Sequence, residues 1–276
     1  MLRQRALSAA VLIPPLVVVL LLGGPWIVAV VVVAAGLAAR EVFALLTGAG
    51  HPSLAWLGVV LTIAVVLDTA VVPPIDASGT LLIAIGAILA AIGAFTRPDP
   101  REGLATWFST VFGALYASLL AFVLRLGHEA PPVVPGSPLA DLGPDRGWIL
   151  LLVLTVWAYD TGAYFLGKRY GRQRFLTHIS PSKTYAGLIG GIVAATAASA
   201  LVLWGLGQPA QTGLLVGPLV ALAAQAGDLA ESMLKRAAGA KDSGTLIPGH
   251  GGILDRVDSF LFATPVLTLY VVAAFR

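Results

Sequence analysis

The chain of 276 residues is 58% hydrophobic and only 11% charged, with a mean hydropathy of +0.90. This composition excludes an ordinary soluble domain, which carries about 25% charged residues, and the absence of cysteine excludes disulfides and thiolate metal sites. The net charge of +3 does not indicate a nucleic-acid partner, because the basic residues lie between apolar segments and form no sustained stripe. Anionic membrane lipid is the expected partner of such charge.

Long apolar segments predict an all-α fold, a polytopic membrane helix bundle of about nine transmembrane helices, because each spanning helix needs about 20 apolar residues. Transmembrane strands would instead alternate in polarity over about 10 residues, whereas residues 28–35 are continuously apolar. The first segment lacks a convincing cleavage site, so we interpret it as a retained helix rather than a signal peptide. The predicted spans are 6–23, 26–46, 53–72, 80–96, 104–126, 148–167, 185–206, 212–231 and 257–275.

The distribution of basic residues orients the predicted bundle. Nine spans place 14 of the 17 lysines and arginines on the side of the N-terminus. Only Arg125, Arg146 and Arg276 fall on the other side. The positive-inside rule therefore predicts a cytoplasmic N-terminus.

The polar residues also indicate how the chain is organised. We expect a single integral membrane domain over 1–276, in which 1–147 supplies N-terminal helices and 148–276 carries the chemistry. Most ionisable groups of the second part lie at cytoplasmic helix ends, so the active site is expected at the cytoplasmic membrane interface. The polar insertion 127–147 is predicted to be a loop on the outer side.

One helical face at the end of the eighth predicted span carries a concentrated polar set. Four residues at the spacing i, i+3, i+4 and i+7 share this face: Asp228, Glu231, Ser232 and Lys235. The preceding stretch, 214–226, is almost entirely apolar, and a carboxylate at the inner end of such a helix is costly unless it is paired or binds a cation. An i,i+4 ion pair with Lys235 is the plain alternative for Glu231. For Asp228 we favour a functional role.

A glycine-rich segment, 241–259, follows this helix. Glycines let the backbone approach a ligand and present N–H groups to phosphate. Asp255 and Asp258 lie where the last helix begins, and helix capping is the alternative explanation for either one. Capping does not explain why two carboxylates, an arginine and a histidine gather beside a glycine cluster. Asp228, Asp255 and Asp258 together suit Mg²⁺, which takes oxygen ligands and keeps waters for substrate phosphates.

Basic residues surround these carboxylates, and cationic side chains suit phosphate oxygens. In this region they are Lys235, Arg236, Lys241 and Arg256. His250 lies in the glycine cluster, where a histidine is more often a hydrogen-bonding loop residue than a catalyst. Asp160 lies inside an apolar predicted helix, where an unpartnered carboxylate would be costly, so we assign it to the site.

The order of these residues resembles the signature of the phosphatidate cytidylyltransferases, the enzymes that make CDP-diacylglycerol. The similar run is Ser232-x-x-Lys235-Arg236, Lys241-Asp242, Pro248-Gly249-His250-Gly251-Gly252 and Asp255-Arg256-x-Asp258-Ser259. Two further segments also resemble the family, namely Gly227-Asp228-Leu229 and Asp160-Thr161-Gly162-Ala163-Tyr164. The family usually has a glutamate two residues after Ser-Pro-x-Lys-Thr, and this chain has Ala186 at that position.

The resemblance implies a nucleotidyltransferase, in which the phosphate of phosphatidic acid attacks the α-phosphate of CTP and pyrophosphate leaves. It implies Mg²⁺ at Asp228 and Asp255, with room for a second cation (K⁺ or another divalent ion) and with Asp258 completing or orienting the site. The other residues implied in catalysis are Lys235, Arg236 and Lys241. The residues implied in substrate binding are Asp160, Lys183, Ser232, Gly249, His250, Gly251, Gly252 and Arg256.

The expected partners are CTP, phosphatidic acid and the lipids of a bacterial-type inner (cell) membrane, with no nucleic acid; a homodimer stays open. Two other classes of protein stay open as well. A CTP-dependent polyprenol kinase would transfer the γ-phosphate and release CDP, so product analysis separates it from the first class. A transporter also uses charged, broken helices, and substrate flux in sealed vesicles without CTP would support it.

Overall fold

The computed structural model describes residues 14–71, 78–247, 249 and 251–275, and these residues form helices and connections without an extended β-strand. The predicted all-α class is therefore confirmed. The α-helices are α1 Gly24–Gly48, α2 Ala55–Ala70, α3 Ser78–Ala94, α4 Pro100–Ser118, α5 Ala121–Glu129, α6 Gly143–Tyr170, α7 Tyr185–Gly205, α8 Gly213–Ala237 and α9 Leu254–Phe275. Residues 14–22 are also helical, and short 3₁₀ turns occupy Ala140–Leu142 and Ala210–Thr212.

Several helices are long and apolar enough to cross a membrane, which makes the chain a multi-pass membrane protein. Among the described residues five helices qualify, and six do if α4 and α5, bent by 42° at their break, form one span. The helices α2 and α3 have 16 and 17 residues. Such helices rise about 24–26 Å, less than the hydrocarbon core of about 30 Å. The count of nine spans stays a prediction, and its first span, 6–23, begins outside the described residues.

The chain divides into two compact units, each of which includes a segment from either half of the sequence. Unit 1 consists of Met1–Leu124 and Met233–Val257, as far as these residues are described. Unit 2 consists of Arg125–Ser232 and Asp258–Arg276, again as far as these residues are described. Each half of the predicted division at residue 147 therefore contributes to both units. The prediction of one membrane domain stays a prediction.

In unit 1, α1 packs against α2 and α4, and the buried ring of Phe43 lies at these contacts. Phe43 of α1 is 1% exposed, and two glycines make space for it. A Cβ atom at Gly58 of α2 would lie 2.0 Å from the ring, and one at Gly113 of α4 would lie 2.5 Å from it. Glu41 lies two positions before Phe43 in the same helix, so its side chain leaves α1 in a different direction.

In unit 2, α6 and α7 pack side by side through small residues. A Cβ atom at Gly162 of α6 would lie 2.6 Å from the carbonyl oxygen of Gly190 in α7. A Cβ atom at Gly191 would lie 2.5 Å from the ring of Tyr159, which is 1% exposed. Helices in membranes approach closely where such small residues meet. The pairing brings the end of α6, with Asp160, next to the start of α7.

Candidate functional site

The predicted residues Lys183 and Asp228 form an ion pair in unit 2. Lys183 Nζ donates a hydrogen bond to Asp228 Oδ2, and the two side chains are 23% and 24% exposed. On the other side of the carboxylate, Ser232 Oγ donates to Asp228 Oδ1 at 3.4 Å. The structure thus brings together three of the residues that the sequence assigned to the site. It also gives Asp228 the partner that a carboxylate on an apolar helix requires.

The connection before α7 holds Lys183 in place. Thr184 caps α7, and its Oγ1 accepts a hydrogen bond from Gly187 N at 3.1 Å. Phe175 N donates a hydrogen bond to the carbonyl oxygen of Lys183 at 3.3 Å, which links the beginning of this connection to its end. The backbone next to Lys183 is therefore fixed by its neighbours without the glutamate that the family has in place of Ala186.

A cavity of about 330 Å³ lies beside this ion pair and is formed entirely by unit 2. Its wall includes Asp160, Lys168, Lys183, Thr184 and Gln225. Asp160 lies in the cavity wall with an exposed side chain, at the predicted site. Two lysines and one carboxylate in the wall suit an anionic ligand.

Gln225 is a residue of the cavity wall that the sequence analysis missed. Its side chain is 6% exposed, and its Oε1 accepts a hydrogen bond from Tyr159 Oη at 2.5 Å. Its Nε2 is buried and has no hydrogen-bond partner among the described residues. A buried amide nitrogen without a partner is costly, so this atom is available to a ligand. The available signal was a glutamine one helical turn before Asp228 in an otherwise apolar stretch.

A second cluster, in unit 1, surrounds Asp255. Lys235 Nζ lies 2.7 Å from Asp255 Oδ1, and the two side chains are only 12% and 7% exposed. Asp255 Oδ2 accepts hydrogen bonds from Ser243 N, Ser243 Oγ and Gly252 N, each at 2.8 Å. Asp255 also lies in the first turn of α9, where a carboxylate is favoured. It therefore anchors the glycine-rich segment as well as pairing with the predicted Lys235.

Glu41 of α1 belongs to the same cluster, and the sequence analysis did not assign it to the site. Its Oε1 accepts a hydrogen bond from Ile253 N at 2.9 Å, and its Oε2 accepts from Leu254 N at 2.8 Å. Ser243 Oγ lies 2.8 Å from Oε2 as well. Glu41 follows Arg40 within the predicted span 26–46, and two charged residues inside a predicted span are a recognisable signal.

The remaining predicted residues lie in both units. In unit 1, Arg236, Lys241, Arg256 and Gly249 are exposed. Gly249 and Gly251 adopt φ values of 76° and 80°, which favour glycine. His250 lies outside the described residues. In unit 2, Asp258 Oδ1 accepts a hydrogen bond from Ser259 N at 2.7 Å, and a Cβ atom at Gly227 would lie 2.3 Å from the Asp258 carbonyl oxygen.

The carboxylates fit a metal ion that arrives with a phosphate ligand better than an ion held by protein alone. Among the described residues no group of three or more aspartate, glutamate or histidine side chains could hold a metal ion. Lys183 and Ser232 occupy two of the about four acceptor positions of Asp228, which leaves positions for a metal ion. Lys235, Ser243 and Gly252 together fill the four positions of Asp255, so Asp255 would bind a metal ion only by releasing one of these donors. Mg²⁺ needs only one or two carboxylates when substrate phosphates and waters supply the other ligands.

The helices and these charged clusters define a multi-pass membrane protein with cationic and acidic groups suited to phosphate-bearing ligands. The sequence model of the cytidylyltransferase family matches residues 3–274, and the chain belongs to that family. The resemblance inferred from the signature is thereby confirmed.

Named relatives agree with this family. A phosphatidate cytidylyltransferase of Synechocystis is 37% identical over 256 residues, which cover 86% of this chain and 85% of the relative. One from Brucella suis is 45% identical over 123 residues, covering 44% of this chain and 46% of the relative. One from Staphylococcus aureus is 42% identical over 127 residues, covering 45% and 49%.

Proposed function

We propose that this protein is a phosphatidate cytidylyltransferase, an enzyme that transfers CMP from CTP to phosphatidic acid. The observation that carries the proposal is the similarity over 86% of the chain to a relative of that name. In the reaction an oxygen of the phosphatidate phosphate forms a bond to the α-phosphorus of CTP. The bond from that phosphorus to the bridging oxygen of the β-phosphate breaks, and pyrophosphate leaves with the electron pair. CDP-diacylglycerol remains in the membrane.

The polar residues of both units suit this reaction because each substrate is anionic. Charge repulsion and alignment of the attacking oxygen dominate such a barrier, so no nucleophile from the protein is required. We assign Lys183, at the cavity of unit 2, to a substrate phosphate, with Asp160 and Ser232 as further substrate-binding residues. We assign the cations of unit 1 to neutralising the phosphates and the backbone of the segment around Gly249, Gly251 and Gly252 to the triphosphate. These cations are Lys235, Arg236, Lys241 and Arg256.

The acidic residues are assigned to orienting the cations and to holding metal. Asp228 orients Lys183, and Asp255 orients Lys235. We propose Asp228 and Asp258 of unit 2 and Asp255 of unit 1 as Mg²⁺ ligands, Asp258 completing or orienting the metal, together with a second cation, K⁺ or another divalent ion. When bound, Mg²⁺ would withdraw charge from the phosphate oxygens. The Nε2 atom of Gln225 donates to an acceptor of the bound substrate.

The proposal extends to the place of the protein in the cell. We propose a bacterial-type inner membrane location, nine spans with a cytoplasmic N-terminus, and an active site at the cytoplasmic interface. CTP would then enter from water and phosphatidic acid from the leaflet. A homodimer is the proposed assembly, and the mass of the detergent-solubilised protein measured by light scattering tests it.

The labelling position of CTP tests the reaction. Purified protein in detergent is given phosphatidic acid, Mg²⁺ and CTP labelled at either the α- or the γ-phosphorus. We expect label in the lipid only from α-labelled CTP, only with phosphatidic acid present, and only with Mg²⁺. In a parallel reaction with an added polyprenol, transfer of label from the γ-position to that lipid would instead identify a lipid kinase. No labelled lipid at all, from protein that elutes as one folded species, would contradict the proposal.

A further inference from the structure

Glu41 lies in the apolar helix α1 and holds two separate stretches of the glycine-rich segment. We infer that Glu41 is a positioning residue for the nucleotide: it acts through the segment that carries Asp255 and the glycine backbone, without itself touching substrate. The kinetic consequence of this role rests on the proposed function. The hydrogen bonds of Glu41 do not depend on the proposed function, because they are made within unit 1 by the protein alone.

The contacts of Glu41 fix both ends of the segment. At its beginning, Ser243 Oγ lies 2.8 Å from Glu41 Oε2. At its end, Ile253 N and Leu254 N donate to the two carboxylate oxygens at 2.9 and 2.8 Å. The first N–H groups of a helix have no partner within that helix, and its N-terminus favours negative charge. One side chain from α1 therefore holds the start of the segment and also caps α9.

Two glycines of the segment leave room for this carboxylate. A Cβ atom at Gly252 would lie 2.2 Å from Glu41 Oε2, and one at Gly244 would lie 2.8 Å from Oε1. Both distances are shorter than any side chain tolerates, so these glycines allow the backbone to approach Glu41 closely. Gly252 was predicted only as a backbone that approaches phosphate. The close approach of Glu41 also requires that residue 252 has no side chain.

Ser243 connects Glu41 to Asp255. Its hydroxyl oxygen lies 2.8 Å from Glu41 Oε2 and 2.8 Å from Asp255 Oδ2, and Asp255 N donates to it at 3.3 Å. A hydroxyl has a single proton to donate, so the two carboxylates share this group. Any displacement of Glu41 is therefore passed to Asp255, and Asp255 in turn pairs with Lys235.

The first test compares Glu41→Gln with Glu102→Gln. Glutamine keeps the size of Glu41 but turns an NH₂ group towards donors that need an acceptor, so part of the network is lost. Misplacing a supporting group costs about 10- to 100-fold, and we expect kcat/KM for CTP to fall by that factor. The KM for CTP should rise, and the KM for phosphatidic acid should stay unchanged.

The control, Glu102→Gln, removes a carboxylate of the same unit that pairs with Arg97 at 3.2 Å on the surface. It should keep wild-type kinetics. Two results would overturn the inference. One is wild-type kinetics in Glu41→Gln. The other is a fall in kcat with both KM values unchanged, because that pattern reports only a smaller folded fraction.

The second test uses the close contact with Gly252. Gly252→Ala should lower kcat/KM for CTP by a factor similar to that of Glu41→Gln, since the added methyl group strikes the carboxylate. In Glu41→Ala the obstruction is gone, so the double variant Glu41→Ala/Gly252→Ala should be no worse than Glu41→Ala. Residues in contact are expected to show such non-additivity. Fully additive losses would mean that the two residues act independently, against the inference.

Hydrogen exchange separates this inference from the proposed function. The amides of Ile253 and Leu254 are measured in the wild type and in Glu41→Gln without substrate. Faster exchange in the variant is expected, since these amides lose their acceptors. If Glu41→Gln exchanges faster but the wild type makes no CDP-diacylglycerol, only the proposed function is rejected. Glu41 then still supports this segment. Unchanged exchange would reject the positioning role whatever the activity.

Discussion

Lys183 and Asp228 form an ion pair within unit 2, although 45 positions separate them in the chain. The lysine ends the connection before α7, and the aspartate lies on α8. Each side chain keeps about a quarter of its surface exposed, at 23% and 24%, so the pair is accessible to a ligand. An accessible lysine oriented by a carboxylate can exchange that partner for a phosphate, and this exchange makes the pair a good target for mutation.

The variant Asp228→Asn should lose turnover while the protein stays folded. It keeps the size of the side chain but removes the charge that orients Lys183 and that is proposed to hold metal. We expect a fall in the rate of CDP-diacylglycerol formation of at least about 100-fold. Asp141→Asn, at an exposed position of unit 2, is the matched control and should be as active as the wild type. Near wild-type turnover in Asp228→Asn would reject the assigned role.

The pair itself can be measured with a double-mutant cycle of Lys183→Met and Asp228→Asn. Lys183→Met leaves the Asp228 carboxylate on an apolar helix without its cation, so it should lower the unfolding temperature more than Asp228→Asn, which removes the charge. The effects on kcat/KM should be strongly non-additive, because groups that act together are lost together. Thermal unfolding in detergent and initial rates give both quantities. Additive kinetic losses together with large stability losses would indicate a purely structural pair.

Gly191→Ala tests the close packing of α6 and α7. The added methyl group would lie 2.5 Å from the Tyr159 ring, so the two helices must separate. Overpacking of this kind costs about 1–3 kcal/mol, and the midpoint of thermal unfolding should fall. Gly127→Ala is the matched control, since its Cβ would meet its nearest neighbour at 3.6 Å, an ordinary contact. A midpoint for Gly191→Ala equal to that of the control would show that the interface adapts.

The helices could be predicted from the sequence, whereas most contacts of the site could not. Long apolar runs place α6 to α9 to within about six residues at each end, because burial in lipid demands helices. The break at 119–120 falls within a continuous apolar run and leaves no trace in hydropathy. Glu41 is a different case. Its partners are backbone N–H groups more than 200 positions away, and a backbone group carries no residue-specific signal.

The candidate residues were predictable one by one, since charge on an apolar helix and glycine clusters can be seen in the sequence. Their pairing depends on which helices pack together. The sequence places Lys235 in the site but predicts phosphate or Glu231 as its partner, whereas the structure pairs it with Asp255. Capping of α9 and pairing with Lys235 are compatible roles for Asp255. Asp255 accepts from Gly252 N at the start of α9 and also pairs with Lys235.

Ala186→Glu restores the residue that the family usually has. Ala186 lies in the first turn of α7, which contains no acidic residue. A carboxylate there interacts favourably with the helix N-terminus, and we expect a gain of about 0.3–1 kcal/mol in the free energy of unfolding. Turnover should stay within about twofold of the wild type, since Asp228 already holds Lys183. Ala186→Gln controls for side-chain size. A several-fold rise in kcat with glutamate alone would show that the carboxylate has a chemical role.

The proposed orientation can be tested by labelling single cysteines, because the chain has no cysteine of its own. Arg101→Cys and Asp141→Cys both lie at exposed positions, on predicted cytoplasmic and outer sides respectively. In intact cells a membrane-impermeant maleimide should label Asp141→Cys at once and Arg101→Cys only after permeabilisation. This expectation follows from the positive-inside rule, since the lysines and arginines gather on the side of Arg101. The reverse pattern would invert the orientation. Labelling of both positions in intact cells would place them on one side and reject the predicted span 104–126 between them.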